Sequence, residues 1–108
     1  MNKQELEIAK KIAGIDGVEV EQYNDKLMIS VNLKYCFAEY TPKEYNPFSW
    51  SILGPLMVKY EIEVDFVDSS VYIRSNEMSY KYWALFSCKE EIPSAILKCI
   101  IKSQGVEL

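Results

Sequence analysis

Apolar and polar positions change period several times along this chain, and each change predicts an element. From Asn2 to Ile15, Leu6, Ile8, Ala9, Ile12, Ala13 and Ile15 fall on one side of a helix. Glu5 and Glu7 come early and Lys10 and Lys11 late, as the helix dipole favours. Gly14 or the Asp16–Gly17 pair ends this helix. Val18 to Tyr23 then alternates Val18 and Val20 against Glu19 and Glu21, and Asn24–Asp25 turns the chain. From Lys26 to Leu33 the residues Leu27, Ile29, Val31 and Leu33 share one strand face, completing a hairpin. Between Lys34 and Tyr45 the period is lost. Tyr35, Phe37, Tyr40 and Tyr45 stand there among charged residues around Pro42, which predicts an aromatic loop or an irregular edge.

The next stretch, YNPFSWSILGPLMVKYEIE over 45–63, carries several placed signals. Asn46 suits a helix cap and Pro47 a first helical position, and Ile52, Leu53, Leu56, Met57 and Tyr60 follow at spacings of three and four. These predict a helix from Pro47 to about Tyr60. Gly54–Pro55 interrupts it, since an interior proline loses a hydrogen bond and clashes one turn back, at about 3 kcal/mol. Either the helix kinks there or it begins at Pro55; the unbroken apolar stripe favours one kinked helix. Glu61 to Val67 alternates strictly, with Ile62, Val64 and Phe66 on the inner face and Glu61, Glu63 and Asp65 on the outer. Turns at Asp68–Ser70 and Ser75–Glu77 lead into strands over Val71–Arg74 and Ser79–Phe86, a three-strand meander. A last helix runs from about Pro93 to Gln104, with Ile92, Ala95, Ile96, Cys99 and Ile100 inside and Gly105 as its stop. The expected architecture is α+β, a single domain over 1–108. Its mainly antiparallel sheet, hairpin plus three-strand meander, is covered by about three helices.

Composition narrows the function classes. With 108 residues, 49% of them apolar and 26% charged, the chain is large enough to bury a core without staples. A net charge of −4 with scattered cations opposes direct binding to nucleic acid. No apolar run is long enough to span a membrane and the first residues are charged, so a cytosolic protein is expected. The three cysteines, Cys36, Cys88 and Cys99, are widely spaced and point to reduced thiols. Histidine is absent altogether, which removes the commonest general base and the commonest metal ligand. No catalytic residue, metal site or cofactor is therefore expected, and contact with another molecule is the better reading.

Eight tyrosines make that contact reading concrete, because tyrosine offers a large area at low rotamer entropy plus one hydroxyl. Tyr35, Phe37, Tyr40, Tyr45 and Trp50 are the expected protein-binding residues; Asn46, Pro47 and Trp50 could form a binding lip, but the cap and start of a helix are the better account of Asn46 and Pro47. On the last strand Tyr80, Tyr82 and Phe86 share one face and Trp83 and Leu85 the other, so one of the two rows is open to solvent. Glu19, Glu21, Glu61, Glu63 and Asp65 would join into one acidic patch if the two sheet regions were neighbours; solvated strand faces often look like this for protection against edge pairing. Zinc binding would need an unusual site, since no CxxC spacing is present.

The central segment, with its Asn–Pro pair, Trp50 and Gly54–Pro55 before an alternating strand, resembles the NinX-type family of small phage proteins. Leu6 to Gly14 is similar to that family's Ala-rich opening helix, and Trp83–Ala84 with the Pro93-led helix resembles its closing strand and helix. Trp83 and Ala84 abut where the family spaces them, and Lys98 stands where an Arg is common. The resemblance implies a phage or prophage accessory product working in the bacterial cytosol, with a shared fold and no assigned reaction. The resulting expectation is a non-enzymatic protein that binds another protein, for instance as an inhibitor of a host or defence component. The alternative is a small nucleotide-like ligand, with aromatics stacking a base and Arg74 or Lys81 meeting phosphate; with one arginine in the chain, the clamp would be thin.

Overall fold

The computed structural model describes residues 1–29, 43–73 and 82–106. The helix α1 spans Lys3–Asp16, followed by strands β1 (Val20–Tyr23) and β2 (Lys26–Ile29). Further along come α2 (Trp50–Lys59), β3 (Ile62–Asp65), β4 (Ser70–Ile73), β5 (Trp83–Leu85) and α3 (Ile92–Ser103). A 3-10 turn over Lys89–Glu91 leads into α3. Strands β1 and β2 form one antiparallel sheet and β3, β4 and β5 a second, in sequential order. The architecture is α+β, and the chain divides into two compact units, 1–46 and 47–108.

In the first unit α1 is closed at both ends by its own sequence. The Asn2 side chain accepts from the Glu5 backbone N–H at 2.8 Å and the Glu5 carboxylate accepts from the Asn2 N–H at 3.0 Å, a reciprocal cap. Gly17, at φ 74°, ends the helix: its N–H meets the Gly14 carbonyl and the Val18 N–H meets the Ala13 carbonyl. That second bond holds Val18 at the helix end, which is why β1 begins at Val20 and not at Val18. The two glycines of this helix should respond oppositely to a methyl group. At Gly14 an added Cβ meets nothing within 4 Å, so Gly14→Ala is expected to stabilise by about 0.5–1 kcal/mol. Gly17→Ala forces a Cβ into the left-handed region and is expected to destabilise by about 1 kcal/mol. Urea midpoints moving in the same direction for both variants would contradict this cap.

The hairpin turns at Asn24, which tolerates its left-handed φ of 56°. Leu27 is buried, as the alternation required; Val31 and Leu33 lie outside the described residues. The segment expected to be an irregular edge is partly regular. The Ile29 N–H donates to the Lys43 carbonyl at 2.9 Å and the Tyr45 N–H to the Leu27 carbonyl at 2.7 Å, so residues 43–45 run antiparallel beside β2.

In the second unit α2 starts three residues later than the Asn–Pro pair suggested. Pro47 is fully buried in a turn, and the extended Ser49 provides the carbonyl that receives the first helical N–H groups, from Ile52 and Leu53. Asn46 is therefore not the cap. The helix continues unbroken through Gly54–Pro55, which excludes a start at Pro55. Pro55 leaves the Ser51 carbonyl without its helical donor, and Ser51 is exposed, where water can serve it. Glu61, expected as the first strand residue, instead ends the helix turn at φ 53°, and β3 begins at Ile62. Helix α3 packs on β4 and β5, burying Ile92, Ala95, Ile96, Cys99 and Ile100 as its period predicts. Leu97 and Ile101 are buried too, so the hidden face of α3 is wider than one stripe.

Candidate functional site

Of the predicted contact residues, the described structure covers Tyr45 and Trp50. Tyr35, Phe37 and Tyr40 lie outside the described residues. Tyr45 is 2% exposed and belongs to the core, because its pairing with β2 draws it in. Trp50 is 60% exposed at the first position of α2, in the other unit. Of the residues of the expected acidic patch, Glu19 and Glu21 belong to the first unit and Glu61, Glu63 and Asp65 to the second.

A different surface emerges on the β3-β4-β5 meander, and its construction follows from strand parity. Cross-strand register pairs Val64 with Val71 and Val71 with Ala84, and Val71 and Ala84 are buried on the side that carries α3. The neighbouring positions must then point the other way. One outward row runs Glu63, Tyr72, Trp83 and the next Asp65, Ser70, Leu85. Trp83 is 50% and Leu85 65% exposed, which decides the open question of the last strand: the Trp83–Leu85 row faces solvent and Phe86 is core.

The β3–β4 turn adds to this surface by ending β3 early. One carboxylate oxygen of Asp65 accepts the backbone N–H groups of Val67 at 2.9 Å and Asp68 at 3.2 Å, replacing the sheet ladder with a side-chain-held turn. Strict alternation placed Phe66 inward with Ile62 and Val64. Beyond Asp65 the strand no longer exists, and Phe66 is 64% exposed, meeting the buried Phe86 edge-to-face at a centroid distance of 6.3 Å. Val67 is almost fully exposed at the tip.

Asp65, Asp68, Ser70, Tyr72, Trp83 and Leu85 line an open hollow of about 330 Å³ on this face. The Tyr72 hydroxyl donates to the Glu63 carboxylate at 2.6 Å, which fixes the phenol along the sheet. Among these lining residues the charged groups are both carboxylates, beside a half-open indole and an exposed leucine. Such a surface can hold a partner by apolar area, by the indole face and by negative charge. No protein-family model, curated protein or solved structure matches the chain. The site is thus defined by geometry alone.

The thiols behave as separate cases. Cys99 is buried on α3 and its thiol donates to the Tyr82 carbonyl at 3.1 Å; burial pushes its pKa up to about 11, against smaller opposing effects of Lys102 and a backbone hydrogen bond at Ile73. Cys88 is exposed ahead of the 3-10 turn, and Cys36 lies outside the described residues. Among the described residues, no group of three or more Cys, Asp or Glu is close enough to hold a metal ion, and no helix is long and apolar enough to cross a membrane.

Sequence reasoning grouped Trp83 with Leu85 but did not choose between the two rows of β5. The signal that chooses is in β3. Glu63 and Asp65 mark the solvent side, and antiparallel register carries that side across to Tyr72 and then to Trp83.

Proposed function

We propose that this protein acts by contact and not by turnover, binding another protein through the outer face of the β3-β4-β5 meander. The observation that carries this reading is the exposure of Trp83 and Leu85 on a face the core does not need. Large exposed apolar side chains grouped on one face mark interaction surfaces, and tryptophan is prominent among residues that dominate binding energy. The resemblance to NinX-type proteins would place that contact in a phage or prophage setting, in the cytosol of the bacterial host. The nucleotide-like alternative is less well supported by this face, because the Asp65 and Asp68 carboxylates would repel a phosphate; Arg74 and Lys81 lie outside the described residues.

A comparison of wild-type protein with Trp83→Thr tests the reading. Threonine keeps strand propensity while removing the indole, and the position is outward, so melting should change little. Immobilised wild type should saturably retain a polypeptide from bacterial lysate, and the variant should retain it at least about ten-fold more weakly, as expected for loss of an interface anchor. Equal retention by both forms, or no polypeptide retained by wild type, would sink the assignment of this face.

A further inference from the structure

We propose that the hollow on the meander's outer face is a receptor for one cationic side chain, a guanidinium or an ammonium, projecting from the bound protein. This rests on the reading of that face as the contact surface and specifies the chemistry it selects. Four features of the hollow converge on such an occupant. Asp65 and Asp68 supply negative charge from the β3–β4 turn, while Trp83 supplies an indole, the aromatic ring that attracts cations most strongly. Asp65 is already oriented by the two turn N–H groups, so its carboxylate is held in place before anything binds. Leu85, on the adjoining row, offers an apolar surface for the methylene stem that both lysine and arginine carry.

Charge complementarity decides between occupants. A partner that covered this hollow with an aliphatic or acidic group would strip water from two carboxylates, of which Asp65 keeps only its two turn N–H groups, and would supply no positive charge in return, which is unfavourable. A cationic group removes that penalty and gains the indole face. The volume of about 330 Å³ stands at the low end of the roughly 300–1,000 Å³ typical of small-molecule pockets, a scale suited to a single long side chain with attendant water.

The test uses the full chain carrying Trp50→Phe, which leaves Trp83 as the one indole, since the sequence has two tryptophans. The probes are Nα-acetyl-arginine amide, Nα-acetyl-lysine amide and Nα-acetyl-citrulline amide, the last matching arginine in shape without its charge. Titration at low ionic strength should give a saturable change in indole emission with a cationic probe and none with citrulline; the stronger of the two cationic arms identifies the side chain. The double change Asp65→Asn, Asp68→Asn keeps a carbonyl oxygen at the turn and should weaken binding about ten-fold. Raising the salt to about 1 M should weaken it in the Trp50→Phe protein as well, so the charge requirement is testable even if the double variant folds poorly.

A citrulline response equal to arginine, no saturable response to any probe, or affinity unchanged by the asparagine pair or by salt would each overturn the receptor. If the cationic probes fail while Trp83→Thr still loses the retained polypeptide, the receptor falls and the contact face stands. If they bind while Trp83→Thr retains the polypeptide fully, the receptor stands and the contact reading falls.

Discussion

Ile100→Ala should destabilise the protein by about 2–5 kcal/mol, the range for removing a large aliphatic side chain from a packed core. Ile100 has no exposed surface, and α3, which carries it, is the helix that packs on both β4 and β5. It is flanked on the same buried face by Ile96 and Cys99, both without exposed surface, so the space left by three missing carbons has few routes to collapse. A domain of this size has a total stability of about 5–15 kcal/mol, so the expected loss is a large share of it. Urea unfolding should show a lower midpoint with an unchanged slope, because the loss is one of packing and not of compactness. Lys102→Ala, on the exposed side of the same helix, should stay within about 0.5 kcal/mol of wild type. A loss below about 1 kcal/mol for Ile100→Ala would mean that α3 is not seated on the meander as described.

That prediction was open to sequence reasoning, because α3 advertises its packing through period alone. Ile92, Ala95, Ile96, Cys99 and Ile100 repeat every three or four residues, and all five are buried. Leu97 and Ile101 escaped because periodicity describes the single most apolar stripe and says nothing about a second flank. The same reasoning found α1 with its glycine stop, the hairpin about Asn24 and the outward parity of Glu63 and Asp65. Its errors lie where a side chain or a tertiary contact competes with a local rule. Asn46–Pro47 has the chemistry of a helix start, yet burial of Pro47 takes precedence and the helix waits for Ser49. Phe66 continues the alternation of Ile62 and Val64, yet the Asp65 carboxylate captures the next N–H groups and ends the strand.

The proposed contact surface was harder to read than the fold for a reason rooted in tyrosine and tryptophan themselves. Each carries a large apolar body and a polar tip, so either satisfies a core or an interface equally well. Tyr45 and Trp83 are both aromatic residues paired to a neighbouring strand, but one is core and the other half open. What separates them is backbone pairing at a distance in sequence: the bond from Tyr45 to Leu27, and the register that sets Trp83 opposite Tyr72 on the face away from α3.

Alkaline pH should reveal the Cys99 thiol as a second large contribution to stability. Burial raises its pKa from an ordinary value of 9.0 to about 11 in the folded protein, because a thiolate there would lose its hydration. The Tyr82 carbonyl, which accepts from the thiol, also serves the protonated form. Below pH 9 both folded and unfolded chains keep the proton and the contribution is complete. Between about 9 and 11 the unfolded chain releases the proton while the folded protein holds it, so unfolding becomes progressively more favourable. Above about 11 both forms are thiolate and no further loss follows. The total is about 2–3 kcal/mol, close to 1.4 kcal/mol for each pH unit in the window. Lysines and tyrosines also titrate in this range, so the informative quantity is the difference between wild type and Cys99→Ala. The variant should be less stable near neutrality through lost packing, and its stability should fall less steeply from pH 9 to 11, so that the two curves converge. Parallel curves across that window would show that Cys99 does not carry a raised pKa in the folded protein.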